Sequence, residues 1–191
     1  LCCDIHTRER SKRLLRAAGA EKAIKAITDA FPEMLVGAGT VLTTEQVDRA
    51  RAAGAKFIVS PGFNPKVVAY CNQLGLPITP GCTTPSEIEQ ALEMGLEVLK
   101  FFPAEQSGGL AKIKALCAPY TQVRFIPTGG VDLKNLTTYL GFDKVHACGG
   151  SFMVKADYIN NGEFDRITAL CRQSIDAMLG FEIAHVGINA A

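Results

Sequence analysis

The sequence has no run of roughly 18 or more apolar residues and no signal-peptide architecture, so neither a membrane span nor export is indicated. Charge of one sign is also missing. Twenty Lys and Arg stand against 19 Asp and Glu, and the net charge of +1 gives no reason to expect a polyanion partner. The basic cluster Arg8, Arg10, Lys12, Arg13 and Arg16 has no interleaved aromatic residues and reads as a solvated face, not as a nucleic-acid arm. There is no C-x-x-C pair, and the three histidines form no cluster at zinc spacing, so no metal site is expected. The seven cysteines, Cys2, Cys3, Cys71, Cys82, Cys117, Cys148 and Cys171, are odd in number and fall mostly in apolar patterns, as small reduced core residues do. The expectation is a soluble, cytoplasmic protein.

What is present is one unit repeated. At 191 residues and 48% apolar content the chain can bury one substantial core. From Met34 onward, short apolar runs end in Gly or Pro and are followed by a polar cap and an amphipathic stretch. The runs are 34–41, 57–62, 77–82, 98–103, 123–130 and 145–151, and helical periodicity fills 44–53, 64–74, 85–94, 109–118 and 132–140. Further helices are predicted over 20–30 and 163–178. Thr43 or Thr44, and Thr84 before Pro85, supply N-terminal caps, while Gly54, Gly75 and Gly95 close three helices. Short strands alternating with helices imply parallel strands joined by right-handed crossovers.

A doubly wound open sheet and a closed (β/α)8 barrel both fit that alternation. The turns decide for the barrel. Gly37-Ala38-Gly39-Thr40, Ser60-Pro61-Gly62, Thr79-Pro80-Gly81, Phe102-Pro103-Ala104, Pro127-Thr128-Gly129-Gly130 and Gly149-Gly150-Ser151 end successive strands, which suits a ring of loops better than a single crevice. The two paired-glycine turns at the last two strands suit phosphate, bound by unobstructed backbone N–H groups. The Gly37 turn lacks the third glycine of a dinucleotide fingerprint.

Lys100 is one ammonium inside Val98-Leu99-Lys100-Phe101-Phe102-Pro103, apolar on both sides. Desolvation favours the neutral amine that attacks a carbonyl, which makes it a candidate Schiff-base lysine. A lysine snorkelling to a strand end, or paired with a buried carboxylate, satisfies the same pattern.

These residues match a family. Val36-Gly37-Ala38-Gly39-Thr40-Val41, Ser60-Pro61-Gly62, Lys100-Phe101-Phe102-Pro103-Ala104-Glu105, Arg124 to Gly130 and Gly149-Gly150-Ser151 resemble the 2-keto-3-deoxy-6-phosphogluconate (KDPG) / 4-hydroxy-2-oxoglutarate (KHG) aldolases, in order and without large gaps from about Arg16 to about Leu179. The resemblance implies a class I, metal-free and cofactor-free aldolase with a (β/α)8 fold, a homotrimer acting on a small keto acid. It implies that Lys100 forms the imine, that Arg16 and Thr40 hold the substrate carboxylate, and that Pro61, Phe102 and Thr128 border the reacting carbons. Gly129, Gly130, Gly150 and Ser151 would bind a distal phosphate. Another phosphate-sugar enzyme on the same kind of barrel, with Lys100 merely structural, is the competing enzyme class.

The ends depart from the pattern. Residues 1–19 are charged and lack strand alternation, residues 20–179 are expected to form the barrel domain, and 180–191 form a tail or the start of a further domain. In the family a glutamate shuttles protons four residues before the arginine. Lys12 stands there in this chain. Six recognisable strands cannot close an eight-stranded barrel, so the first strand-helix-strand portion is expected to be lacking. Truncation or a disturbed reading frame, completion by another chain, or a degenerate barrel of low activity would each account for that. In the tail, Gly180 to Asn189 weakly resembles the opening strand of a glyoxalase-type metal-binding domain, with His185 at a ligand-like position. No partner ligand accompanies it, so the stretch reads as a terminal segment.

Overall fold

The computed structural model describes residues 2–5, 12–15 and 19–180, with side chains from Gly19 onward. The chain is an α/β protein. Its strands are β1 (Cys2–Ile5), β2 (Lys12–Leu15), β3 (Val36–Gly39), β4 (Ile58–Val59), β5 (Ile78–Thr79), β6 (Val98–Phe101), β7 (Arg124–Pro127) and β8 (Cys148–Gly150). Its helices are α1 (Ala20–Ala30), α2 (Thr44–Ala52), α3 (Pro65–Gln73), α4 (Pro85–Glu93), α5 (Gly109–Cys117), α6 (Leu136–Leu140), α7 (Ala156–Asn160) and α8 (Phe164–Leu179).

From β2 to β5 each strand pairs parallel with the next, in a register that aligns Ala38 with Ile58 and Ile58 with Ile78. A bridge between Gly81 and Lys100 carries the pairing on to β6, which runs parallel to β7. Bridges from Phe125 to Val145 and from Thr128 to Gly149 carry it to β8. β1 then pairs antiparallel with both β8 and β2, so the strands close into a ring.

Strands β1 and β2 correct the expectation that residues 1–19 carry none. Asp4, Lys12 and Arg13 break the alternation by which a strand is read, yet β3 and β8 each present an edge whose backbone groups need partners. Context overrides propensity here. The two strands are antiparallel and only residues 6–11 separate them, a connection far shorter than the dozen or more residues a parallel crossover needs. Arg16 and residues 181–191, including His185, lie outside the described residues.

Local chemistry places α2, α3 and α4 where the sequence predicts them, whereas α7 is not predicted. The Thr43 hydroxyl accepts from the Gln46 N–H at 3.3 Å, and the Asn64 side chain accepts from the Lys66 N–H at 3.1 Å. At α4 a full capping box forms, with Thr84 Oγ1 accepting from the Glu87 N–H and the Glu87 carboxylate accepting from the Thr84 N–H at 2.9 Å. Helix α6 starts later than its periodicity suggests. The Asp132 side chain accepts from the Lys134 N–H at 2.8 Å and Asn135 Oδ1 accepts from the Asp132 N–H at 2.9 Å, which makes 132–135 a turn instead of a first helical turn.

The main core lies between helices and ring. Val36, Ala38, Ile58 and Ile78 pack with Ile24, Val47 and Val67, and Leu99, Phe101 and Phe125 pack with Ile88, Ile113 and Leu136. Because side chains alternate along a strand, the residues between these point into the ring. There Phe57 packs with Val59 and Leu35, and its ring fills the space a Cβ on Gly37 would need, at 2.3 Å.

Candidate active site

Leu99 and Phe101 face the helices, so Lys100 and Phe102 face the ring interior at the carboxyl end of β6. The backbone of Lys100 is clamped on the side of β5, its N–H donating to the Pro80 carbonyl at 2.9 Å and its carbonyl accepting from the Cys82 N–H at 2.8 Å. The lysine is 7% exposed, and its Nζ lies 4.5 Å from the centroid of the Phe102 ring. An amine at that depth has an aromatic wall on one side and little bulk water around it. A carbonyl compound held there would meet a nucleophile shielded from solvent.

Phe102 in turn lies against the next loop, since a Cβ on Gly129 would come within 3.3 Å of its ring. Three backbone bonds knit these loops together. The Thr128 N–H donates to the Phe101 carbonyl at 2.9 Å, the Ala104 N–H to the Thr128 carbonyl at 2.9 Å and the Glu105 N–H to the Gly129 carbonyl at 3.2 Å. Thr128 is buried with Lys100, and the Phe102–Pro103 peptide is cis. The structure thus brings Lys100, Phe102, Thr128 and Gly129 together.

Thr40 immediately follows β3, three strands from β6 in the ring. It has φ +59°, a left-handed conformation rare for a β-branched residue and one that concentrates at functional sites. It lines a cleft of about 500 Å³ between α1, β3 and α2, with Glu21, Gln46 and Arg49. Pro61 sits at the end of β4. Its carbonyl passes so close to β5 that a Cβ on Gly81 would lie 2.0 Å from it. The neighbouring Ser60 is buried and donates its hydroxyl to the Gly62 carbonyl at 2.8 Å.

The glycine turns are crowded by neighbours. Gly130, at φ +83°, has no room for a Cβ, which would fall 2.4 Å from Glu105 Cγ, and a Cβ on Gly150 would fall 2.9 Å from the Phe152 ring. Gly150 is buried and Ser151 is exposed. A substitution at either glycine therefore perturbs packing as well as any ligand. Lys12 occupies β2, with its side chain outside the described part.

Burial pushes the Cys71 thiol up to about 11 and the Cys82 thiol to about 12, and raises Cys117 as well. Such thiols stay protonated and serve as core residues. Among the described residues, no group of three or more His, Cys, Asp or Glu is placed to hold a metal ion.

One contact was not legible in the sequence. Tyr139, 2% exposed on α6, donates its hydroxyl to Glu105 Oε1. Burial first, and then the bond to Glu105, hold the phenol well above its usual pKa, so it remains a donor. The signal available was a tyrosine on an apolar helical face, whose hydroxyl needs a partner once buried. Nothing in the spacing pointed to Glu105.

Comparison with known proteins places this geometry among relatives. The profile of the family described as KDPG and KHG aldolase matches residues 12–170. The chain is 54% identical over 160 residues to a 2-dehydro-3-deoxy-phosphogluconate aldolase of Treponema pallidum, covering 84% of this chain and 76% of that protein. Among solved structures, KDPG aldolase from Legionella pneumophila, with pyruvate captured as a covalent carbinolamine, superposes with a TM-score of 0.80. It is 39% identical, and the match covers 84% of this chain and 78% of that one. The aldolase of Zymomonas mobilis with 3-phosphoglycerate superposes with a TM-score of 0.77, at 36% identity over 85% of this chain and 76% of that one.

Proposed function

The chain belongs to the KDPG and KHG aldolase family, and we propose that it cleaves 2-keto-3-deoxy-6-phosphogluconate to pyruvate and glyceraldehyde 3-phosphate. It also splits 4-hydroxy-2-oxoglutarate to pyruvate and glyoxylate, by the same steps. The protein is a lyase. The observation that carries the reading is Lys100, buried on the inner face of the ring beside Phe102 and within the segment that the family shares.

The amine of Lys100 attacks the keto carbon, and loss of water from the carbinolamine leaves an imine. Once protonated, the imine accepts the electron pair of the bond between the third and fourth carbons as a base takes the proton of the fourth-carbon hydroxyl. The aldehyde departs. The enamine left behind takes a proton and is hydrolysed to pyruvate, which frees the lysine. In this reading Arg16 and Thr40 hold the carboxylate, and Pro61, Phe102 and Thr128 border the reacting carbons. The Gly129-Gly130 turn, Gly150 and Ser151 receive the phosphate through backbone N–H groups and one hydroxyl. No metal or cofactor takes part.

The ring is read as a (β/α)8 barrel whose opening part is rebuilt, with residues 20–179 as its regular portion, 1–19 as the altered segment and 180–191 as a tail. The crowded glycines and the turns at one end of the ring support that reading. The working form is a cytoplasmic homotrimer. No helix among the described residues is long and apolar enough to cross a membrane.

The test is borohydride reduction in the presence of pyruvate. One pyruvyl mass should be added, and peptide mapping should place it on Lys100. Trapping that persists in Lys100→Ala would sink the assignment. Ligand binding with no adduct at all would favour a phosphate-sugar enzyme in which the lysine is structural.

A further inference from the structure

The Gly129-Gly130 turn is held from two sides by the helix that follows it. Asn135, at the start of α6, donates its side-chain N–H to the Gly130 carbonyl at 3.0 Å. One turn later on the same helix, Tyr139 reaches across 34 residues of sequence to the carboxylate of Glu105. Glu105 is no distant anchor. Its N–H donates to the Gly129 carbonyl at 3.2 Å, and its Cβ and Cγ fill the space where a Gly130 side chain would begin, at 2.7 and 2.4 Å. Gly109 completes the enclosure, since a Cβ there would meet the Tyr139 hydroxyl at 3.2 Å and Glu105 Oε1 at 3.5 Å. The methylenes of Glu105 thus lie against the turn while its charged end is drawn toward α6.

We propose that the Glu105–Tyr139 pair is a positioning clasp for the Gly129-Gly130 turn and sets the chain's preference for phosphorylated keto acids. The inference rests on the proposed function in taking that turn as the phosphate site. Both glycines are in left-handed conformations, at φ +97° and +83°, so the direction of their N–H groups depends on backbone angles that no side chain of their own restrains. Hydrogen bonds weaken steeply with misalignment, and a turn free to drift would lose its hold on an anion. The clasp has a second consequence. Glu105 is an anion beside an anion site, and donation from a buried phenol keeps its charged end aimed at α6 instead of at the ligand. Lys100 stands on β6 beside Phe102, and its imine with pyruvate involves no phosphate, so pyruvate trapping is the control for the turn.

The test compares the native protein with Tyr139→Phe and Glu105→Gln, by calorimetric titration with 3-phosphoglycerate and with glycerate, and by borohydride trapping of pyruvate. Tyr139→Phe keeps the ring in the core and removes only the donor. It should weaken 3-phosphoglycerate about tenfold, the size expected when one charge-assisted hydrogen bond is misaligned. Glycerate affinity and pyruvate trapping should stay unchanged. Glu105→Gln keeps the shape and an oxygen that accepts from Tyr139, and should remain within about twofold of the native protein.

Equal weakening of both ligands, or no weakening, in Tyr139→Phe would overturn the clasp. So would a native chain that discriminates neither ligand. The proposed function is judged separately, because native protein that binds 3-phosphoglycerate but traps no pyruvate on Lys100 would refute the aldolase reading and leave the clasp standing.

Discussion

Replacing Gly130 by alanine probes the most constrained point of the candidate phosphate site. The backbone there sits at φ +83°, and left-handed geometry costs a residue with a Cβ about 1–2 kcal/mol. The new methyl would also lie 2.4 Å from Glu105 Cγ and 2.7 Å from its Cβ, closer than carbons approach. Glu105 must swing away, and it cannot do so while Tyr139 holds its carboxylate. Giving up that bond costs about 1.5–3 kcal/mol, because a buried phenol is left without its acceptor. Alanine stiffens the unfolded chain and recovers about 0.4–1 kcal/mol. The net expectation is a loss of about 2–4 kcal/mol, or roughly 1–2 M in urea midpoint for a slope of about 2 kcal/mol/M.

Urea unfolding followed by far-UV circular dichroism reads this directly, with Gly162→Ala as the control. Gly162 has φ +69° and nothing within 4 Å of its would-be Cβ, so it carries the backbone cost without the collision. Its loss should be about 1 kcal/mol or less. If Gly130→Ala costs no more than Gly162→Ala, Glu105 yields freely, and the reasoning that ties the turn to α6 through Glu105 is refuted.

Lys12 stands where the family resemblance expects a proton-shuttling glutamate, and it lies on β2, so Lys12→Glu should raise the rate of pyruvate release in a coupled assay. Supplying a general base typically gains about 10²- to 10⁴-fold, and an unchanged rate would show that β2 does not present this position to the substrate. The buried thiols predict a pH effect. Cys71 and Cys82 titrate near 9.0 when unfolded but at about 11 and about 12 when folded, so the unfolded chain loses its protons first. Their contribution is constant below pH ~9 and falls above it, by up to about 1.4 kcal/mol per pH unit for each thiol. A Cys71→Ala, Cys82→Ala double variant should show a shallower alkaline loss of stability in urea titrations at pH 8, 9 and 10, and an identical slope would count against the burial argument.

Where local chemistry decides, the sequence and the structure agree closely. The helix predicted over 85–94 spans Pro85–Glu93, because a proline and the Thr84 capping box mark its start and Gly95 its end. The apolar runs contain every strand from β3 onward, but the strands are shorter than the runs. The run over 77–82 retains just Ile78–Thr79, for the chain then turns at Pro80-Gly81 under the carbonyl of Pro61. The burial of Lys100 was legible as one cation in a stretch apolar on both sides, a pattern that left snorkelling or pairing open.

What the sequence did not reveal is set by distant partners. Strands β1 and β2 form despite Asp4, Lys12 and Arg13 because the edges of β8 and β3 need pairing, a demand that arises only once the rest of the ring exists. The Glu105–Tyr139 contact joins the end of one β/α unit to the helix of the next, and neither residue type nor spacing announces it. The same holds for the glycines. A pair such as Gly129-Gly130 reads from sequence as a turn open to a ligand, yet in space one face of each is occupied, by Phe102 and by Glu105. Their lack of side chains serves the packing of the site and its openness together, so a stability measurement has to accompany any binding measurement on these residues before a loss of affinity is assigned to phosphate.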